Sequence, residues 1–244
     1  MRFLIKFSYD GSNYYGFQRQ PNKKTIQQEL EDALYSINNN KEAPVVATGR
    51  TDKKVHATCQ YIHTDLNVKI NENQLKRAMN TKLPNDIHII KVKKVDDNFH
   101  ARYDIISKEY KYYINMNEYN PLERNYVFQY NHKLNVGKMK KAIKCFKGTH
   151  DFRAFVTENK DKKNCVRTIN TAKILSNKGK LTIIFRGTGF LRYQVRNMVG
   201  ILIRVGEEKL EPTAVKDILL SKDRSNSGKT APAEGLYLTD VKYH

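Results

Sequence analysis

The chain has 244 residues and carries 44 Lys and Arg against 25 Asp and Glu, a formal net charge of +19 at pH 7. Its hydrophobic content of 39%, with 15 Tyr and 10 Phe, excludes a disordered chain, because such chains are poor in apolar and aromatic residues. No stretch approaches the roughly 20 apolar residues of a membrane span, and residues 1–6 return to charge too early for a signal peptide. We therefore expect a soluble, cytoplasmic, globular protein that does not bind membranes.

The first 104 residues predict an α/β unit. Apolar and polar residues alternate as in strands or recur at helical spacing, and turn formers separate these segments. Thr25 and Gln28 have the spacing of a capping box at the start of the first helix. In chain order we predict a strand at 3–9, a helix at 26–37, strands at 45–47 and 58–64, a helix around 75–79, and a strand at 87–92.

The remaining residues, 105–244, predict the same order of elements. They are a strand at 110–114, a helix at 136–146, strands at 169–175 and 181–185 around a hairpin turn, a helix at 190–205, and a closing strand at 235–241. The order strand–helix–strand–strand–helix–strand is ferredoxin-like. We therefore predict an α+β protein with two ferredoxin-like halves, 1–104 and 105–244. They would form a mixed, mostly antiparallel central sheet with helices packed on it and an active-site cleft.

The charge excess favours a nucleic acid as partner, because a basic surface that neutralises phosphates releases condensed counterions. Codon bias towards Lys, Asn and Ile also produces basic, solvated surfaces, so the charge indicates only the class of partner. The three cysteines are widely spaced, no His or Cys pair has metal-ligand spacing, and no glycine-rich phosphate loop is present. We expect no metal and no nucleotide cofactor, and therefore chemistry by side chains alone.

The most informative segment is the turn at residues 49–57, Gly-Arg-Thr-Asp-Lys-Lys-Val-His-Ala. Gly, Thr and Asp are common turn residues, and an Asp in such a turn usually bonds to its own backbone. Arg50, two residues before Asp52, favours the ionised form of the Asp52 carboxyl. An ionised carboxylate held beside a cation is suited to act as a nucleophile.

The turn Gly49-Arg50-Thr51-Asp52, followed by Val55-His56, resembles the signature of the TruA-type tRNA pseudouridine synthases. Further motifs resemble those of the family in order, over nearly the full length, at residues 9–20, 99–112, 148–155, 189–200 and 231–238. The resemblance implies the pseudouridine synthase fold. It also implies isomerisation of uridine to pseudouridine in structured RNA, without metal, cofactor or ATP.

The resemblance also assigns catalytic roles. Asp52 matches the nucleophile, which attacks the ribose C1′ or the uracil C6; the base then detaches, turns and rejoins the sugar through C5. Tyr110 matches the tyrosine that stacks on the flipped uracil, although a strand residue of this kind also packs within a sheet. Arg196 matches a basic residue that pairs with the aspartate, and Arg192 would share its helical face four residues away.

Six residues are expected to bind the RNA: Arg19, Arg50, Lys53, Lys54, His56 and Arg192. Arg50 matches the residue that fills the space left by the extruded base. Lys53 and Lys54 replace the small residues, commonly Ala-Gly, that follow the aspartate in the family. Since glycine adopts a positive φ at no steric cost and lysine does not, we expect a different or more restricted turn. The arginine that often precedes the tyrosine is also replaced, by Lys108-Glu109.

The usual target of the family is the tRNA anticodon arm at positions 38–40, and the resemblance also implies a homodimer. Three alternatives stay open on the sequence: a paralogue acting on a ribosomal RNA hairpin, a non-catalytic RNA-binding module, and a glycosidase that releases free base. The products distinguish them, because only a synthase keeps the base and joins it through carbon.

Overall fold

The computed structural model describes residues 1–157 and 164–244, which form two compact units. The first unit comprises Met1–Ile106 and Tyr237–His244, and the second comprises Ser107–Leu236. The sequence pattern assigns the closing strand to the second half, whereas in the structure it belongs to the first unit. The physical reason is a parallel pairing, in which Tyr237 lies opposite His56 and Leu238 lies opposite Ala57.

The described residues form ten strands and five α-helices, which confirms the α+β class. The strands are β1 (Arg2–Tyr9), β2 (Val46–Ala47), β3 (His56–Asp65), β4 (Ile87–Val95), β5 (Ile105–Asn115), β6 (Phe128–Gln129), β7 (Gly148–Asp151), β8 (Val166–Asn177), β9 (Lys180–Gly187) and β10 (Leu236–Tyr243). The helices are α1 (Ile26–Ile37), α2 (Glu72–Lys82), α3 (Val136–Ala142), α4 (Gln194–Gly206) and α5 (Ala214–Ser221). None of these helices is long and apolar enough to cross a membrane.

The sheet of the first unit has the strand order β4-β1-β3-β10, with the short β2 paired to β3. β1 pairs antiparallel with both β3 and β4. Alternate residues of β1 are buried, as their spacing predicts: Phe3, Ile5, Phe7 and Tyr9. The apolar stripe of α1 is also buried. Thr25 Oγ1 accepts a hydrogen bond from the Gln28 amide at 3.4 Å and so caps α1. Both elements therefore contribute their apolar faces to the core of this unit.

The sheet of the second unit has the order β5-β9-β8-β7, with β6 paired in parallel to β5. β8 and β9 form the predicted hairpin, whose turn residues Lys178 and Gly179 have φ values of 44° and 74°. The core of this unit is rich in aromatic rings: Phe146, Phe152, Phe155 and Phe185 are all fully buried. The buried face of α4, which carries one of the candidate site residues, belongs to the same unit.

Three helices of the second unit differ from the prediction. α3 ends at Ala142 and continues as a 3₁₀ turn to Phe146. α4 begins at Gln194 rather than at residue 190, because Tyr193 has a φ of 61° and therefore cannot belong to a right-handed helix. α5 has eight residues and is absent from the prediction, since so short a segment carries too little periodicity to be recognised.

Candidate active site

The Asp52 turn is held by the amino-terminal motif of the first unit. The Phe17 amide donates to the Thr51 carbonyl at 3.0 Å, and the Lys54 amide donates to the Tyr14 carbonyl at 3.3 Å. Within the turn, the Val55 amide donates to the Asp52 carbonyl at 3.1 Å, which closes a four-residue turn. Two sequence motifs that lie about 30 residues apart therefore form one hydrogen-bonded structure.

A hydrogen bond between two buried hydroxyl groups joins the turn to β1. Tyr9 Oη lies 2.7 Å from Thr51 Oγ1, and both residues are buried. Burial raises the pKa of Tyr9 well above its ordinary value, so its hydroxyl stays protonated. Asp52 itself is partly exposed on the turn. A partly exposed carboxylate on a rigid support can contact a substrate without prior rearrangement of the backbone.

Close backbone approach explains two glycines of the amino-terminal motif. Gly16 has a φ of +100°, and a Cβ there would lie 2.9 Å from the Thr51 carbonyl oxygen. A Cβ at Gly11 would lie 2.1 Å from the Val55 carbonyl oxygen. Both contacts are closer than real Cβ atoms allow, so any side chain at these positions displaces the turn that carries Asp52.

His56 lies in the interior, where only 2% of it is exposed. Its Nδ1 lies 3.1 Å from the Gly11 amide, which donates to it, and 3.1 Å from a carboxylate oxygen of Asp10. The imidazole also stacks on the Tyr237 ring at 4.6 Å between centroids. The structure therefore places this residue of the expected RNA-binding set in the interior, as a packing and hydrogen-bonding partner of the amino-terminal motif.

The cations around Asp52 have different environments. Arg50, Lys53 and Lys54 are exposed. Lys54 has a φ of 65°, so this position adopts the left-handed conformation that glycine would adopt freely, in spite of its side chain. Lys53 Nζ lies 4.0 Å from the centre of the Tyr15 ring. The turn thus presents three cations to solvent beside the partly exposed carboxylate.

Arg19 is bound to the first helix of its own unit. Its Nε lies 3.0 Å from Glu31 and a terminal nitrogen lies 3.3 Å from Asp32. The Arg19 side chain is half exposed. Its two carboxylate partners therefore compete with any phosphate for this member of the expected RNA-binding set.

Tyr110 lies in β5, where it pairs in register with Phe185 of β9 and is buried. The ring of Phe190 meets it edge-to-face, with centroids 5.2 Å apart and planes inclined by 81°. This contact fixes the orientation of the phenol ring from one side. A ring that is held in this way can offer a face for a base to stack on.

Arg196 lies in the first turn of α4. Its Nε donates to the Ala231 carbonyl at 2.8 Å, and its own carbonyl accepts from the Ala231 amide at 3.1 Å. The guanidinium lies 5.2 Å from the centre of the Tyr193 ring, and that of Arg192 lies 5.1 Å from the same ring. The predicted sharing of one helical face is wrong, because Arg192 precedes the helix; the two guanidiniums meet instead at Tyr193.

Asn197 is a buried, multiply hydrogen-bonded residue of the second unit. It is not among the candidate residues predicted from the sequence. It is fully buried, and its Nδ2 donates to the Phe155 carbonyl at 2.8 Å. Its Oδ1 accepts from Arg224 at 3.1 Å and from Thr230 at 2.6 Å. These bonds hold the segment that supplies the Ala231 carbonyl to Arg196. A signal is present in the sequence, because an asparagine stands there among apolar residues of a helix.

A second polar contact fixes the same segment. The Tyr112 hydroxyl donates to the Pro232 carbonyl at 2.8 Å, and burial raises the pKa of Tyr112 well above its ordinary value. Gly200 contributes by its lack of a side chain, since a Cβ there would lie 2.0 Å from the Lys229 carbonyl oxygen. The orientation of Arg196 therefore depends on residues that themselves have no exposed functional group.

The candidate residues are distributed over both units. The first unit contains Asp52 together with Arg19, Arg50, Lys53, Lys54 and His56, and the second contains Tyr110, Arg192 and Arg196. Within residues 1–157 and 164–244, no three His, Cys, Asp or Glu side chains are grouped so as to hold a metal ion. The functional groups that these residues offer are a carboxylate, a phenol, an imidazole and several cations.

Comparison with known proteins identifies the family. The sequence model of a family described as tRNA pseudouridine synthase matches residues 5–104 and 142–244. The chain is 42% identical to tRNA pseudouridine synthase A 1 of Bacillus cereus (strain ATCC 14579) over 244 residues, which cover 100% of this chain and 99% of the relative. It is 42% identical to tRNA pseudouridine synthase A of Streptococcus agalactiae serotype Ia, with 99% of this chain and 95% of the relative covered. The chain therefore belongs to the tRNA pseudouridine synthase family.

Proposed function

We propose that this protein isomerises uridine to pseudouridine in tRNA, at positions 38–40 of the anticodon arm. The observation that carries the proposal is the Gly-Arg-Thr-Asp turn, in which the partly exposed Asp52 lies on a buried, hydrogen-bonded support. Relatives about 42% identical over the whole chain bear the name of this activity. The net charge of +19 suits a polyanionic substrate.

In the proposed reaction, the Asp52 carboxylate is the nucleophile and attacks the ribose C1′ or the uracil C6. The bond between C1′ and N1 breaks, the uracil turns, and a bond forms between C1′ and C5. The C5 proton leaves and N1 gains a proton, so the product has the same atoms as the substrate. Release of Asp52 then completes the cycle, and neither an oxidant nor an energy source is required.

Two residues of the second unit take supporting roles in this proposal. Tyr110 stacks on the extruded uracil and accepts the C5 proton. Arg196 pairs with the Asp52 carboxylate and keeps it ionised. Both roles rest on the match to the family's motifs. The bonds to Ala231 and the Tyr193 ring support the second role, because they restrict the guanidinium to one orientation.

Extrusion of the target base from structured RNA costs a few kcal/mol, which protein contacts must offset. In our proposal Arg50 occupies the space that the base leaves, while Lys53 and Lys54 contact phosphates beside it. All three side chains are exposed next to Asp52. We further propose that Arg19, His56 and Arg192 contribute to RNA binding, His56 through its support of the turn.

The decisive experiment compares the wild type with Asp52→Asn on tRNA transcripts labelled with tritium at uracil C5, with chelator present. The wild type should release tritium, and the variant should release none while its RNA affinity stays within about twofold, because phosphate contacts supply most of the affinity. Turnover by Asp52→Asn would contradict the assignment of the nucleophile. Free uracil among the products would indicate a glycosidase, and no product at all would indicate a binding module.

We also propose that the protein acts in the cytoplasm as a homodimer that binds one RNA across both subunits. Sedimentation at micromolar concentration should then show a species of twice the chain mass of 28.5 kDa. A monomer alone would contradict the dimer. Mapping of pseudouridine in total RNA from cells with and without the protein tests the anticodon arm against a ribosomal RNA hairpin.

A further inference from the structure

The first unit carries an exposed ring that is shared by two lysines. Tyr15 is 40% exposed. Lys53 Nζ lies 4.0 Å from the centre of its ring, and Lys23 Nζ lies 4.7 Å from the same centre. We call Tyr15, Lys23 and Lys53 the Tyr15 cluster. In the sequence only Lys53 stands out, because it alone follows the aspartate directly.

The two ammonium groups of the Tyr15 cluster repel each other. The two distances to the shared centre, 4.0 and 4.7 Å, mean that the nitrogens are at most 8.7 Å apart. Even the upper bound is close to the Debye length of about 8 Å at physiological ionic strength, so salt screens this repulsion only in part. In the part of the chain that the structure describes, neither lysine has an ion pair with a carboxylate. An anion between or beside them would relieve this repulsion.

The neighbouring lysine provides a contrast. Lys24 Nζ lies over the Tyr14 ring at 4.8 Å, and it also lies 3.9 Å from a Glu29 carboxylate. The Tyr14 hydroxyl donates to Asp86. The charge of this second lysine–tyrosine pair is thus balanced within the protein. In the Tyr15 cluster, Tyr15 and Lys23 are the chain neighbours of Tyr14 and Lys24, and Lys53 comes from the turn. Its two positive charges have no such partners among the described residues.

The backbone holds the Tyr15 cluster close to Asp52. The Tyr15 amide donates to the Lys24 carbonyl at 2.9 Å, and Gln20 Nε2 donates to the Tyr15 carbonyl at 2.8 Å. The same segment is also bound to the turn that carries Asp52, since the Phe17 amide donates to the Thr51 carbonyl at 3.0 Å. The backbone that carries the Tyr15 cluster is therefore bound to the turn that carries Asp52 before any substrate arrives.

We propose that the Tyr15 cluster is a phosphate clamp for the RNA strand that carries the target uridine. The proposal rests on the proposed function, which it extends to two residues, Tyr15 and Lys23, outside the expected site. The ring is the platform: a cation over an aromatic face loses less freedom when it then binds an anion. The clamp acts in binding and positioning and takes no part in the chemistry.

The test measures the affinity of the full chain for an unmodified tRNA transcript as a function of KCl concentration. Lys23→Ala should lower the slope of log K against log salt by about 0.7–0.9 and weaken binding about four- to sixfold at 0.15 M salt, as the loss of one phosphate contact requires. Tyr15→Ala should also weaken binding, whereas Tyr15→Phe should behave as wild type, since it keeps the ring. Lys24→Ala, the matched control, should leave the slope unchanged.

Binding and turnover are measured separately, so the two proposals can fail separately. A wild type that binds tRNA but forms no pseudouridine would overturn the proposed function and leave the clamp to be decided by the salt slopes. An active wild type with equal slopes for Lys23→Ala and Lys24→Ala would overturn the clamp. Lys23→Gln, which keeps most of the side chain, must lower the slope as Lys23→Ala does; if it does not, the effect is not one of charge and the clamp is overturned.

Discussion

Replacement of Gly16 by alanine should displace the turn that carries Asp52, although Gly16 has no functional group. Gly16 has a φ of +100°, and the added methyl carbon would lie 2.9 Å from the Thr51 carbonyl oxygen and 3.3 Å from the Asp52 carbonyl carbon. All its nearest neighbours are backbone atoms, so no side chain can rotate away to relieve the contact. The turn itself must move.

The cost of this substitution follows from two contributions. A non-glycine residue held in a sparsely populated backbone region costs about 1–3 kcal/mol. The reduced freedom of the unfolded chain offsets about 0.4–1 kcal/mol of it. Displacement of the Thr51 carbonyl adds a further cost. The free energy of unfolding should therefore fall by about 2 kcal/mol in total, which lowers Tm by about 4–8 °C for a chain of this size.

Thermal denaturation and single-turnover kinetics check this prediction together. Displacement of Asp52 by a fraction of an ångström should lower kcat on the order of 10-fold or more, because catalysis is sensitive to such shifts. Gly137→Ala is the matched control: it lies in α3, its Cβ would meet no atom closer than 3.4 Å, and alanine should stabilise the helix by up to about 1 kcal/mol. Equal Tm and kcat for Gly16→Ala and wild type would refute the reasoning.

Three further outcomes are expected. Burial lowers the pKa of His63 from 6.5 to about 4, so between these pH values only the unfolded chain binds a proton at this residue. The free energy of unfolding should therefore fall by about 3 kcal/mol from pH 7 to pH 4. Urea titrations of His63→Asn should lack that part of the loss. Asn197→Leu should cost about 3 kcal/mol in thermal unfolding, because buried partners are left without hydrogen bonds; a loss below about 1 kcal/mol would contradict this. Arg19→Ala should lower the salt slope of tRNA binding less than Lys53→Ala, since Arg19 already pairs with two carboxylates; equal slopes would be the contrary result.

Local sequence patterns determined much of the secondary structure. The alternation of apolar and polar residues in β1 and the helical spacing of apolar residues in α1 involve positions that are close in the chain. Both patterns can therefore be recognised without knowledge of the tertiary structure. The turn at Lys178 and Gly179 needs positive φ values, which its residue types favour. The ordered motifs, with Asp52 at their centre, also indicated the family that the comparisons confirm.

Long-range contacts decided what the patterns could not. The pairing of Tyr237 with His56, which places β10 in the first unit, joins residues about 180 positions apart in the chain. The interior position of His56 and the network around Asn197 likewise depend on distant segments, whereas the carboxylate partners of Arg19 lie on the helix that follows it. The residue type determines which hydrogen bonds a side chain can make, whereas the tertiary structure determines which partners lie close enough to make them. The Tyr15 cluster is of this second kind, because Tyr15 and Lys23 precede the first helix whereas Lys53 follows Asp52 in the turn.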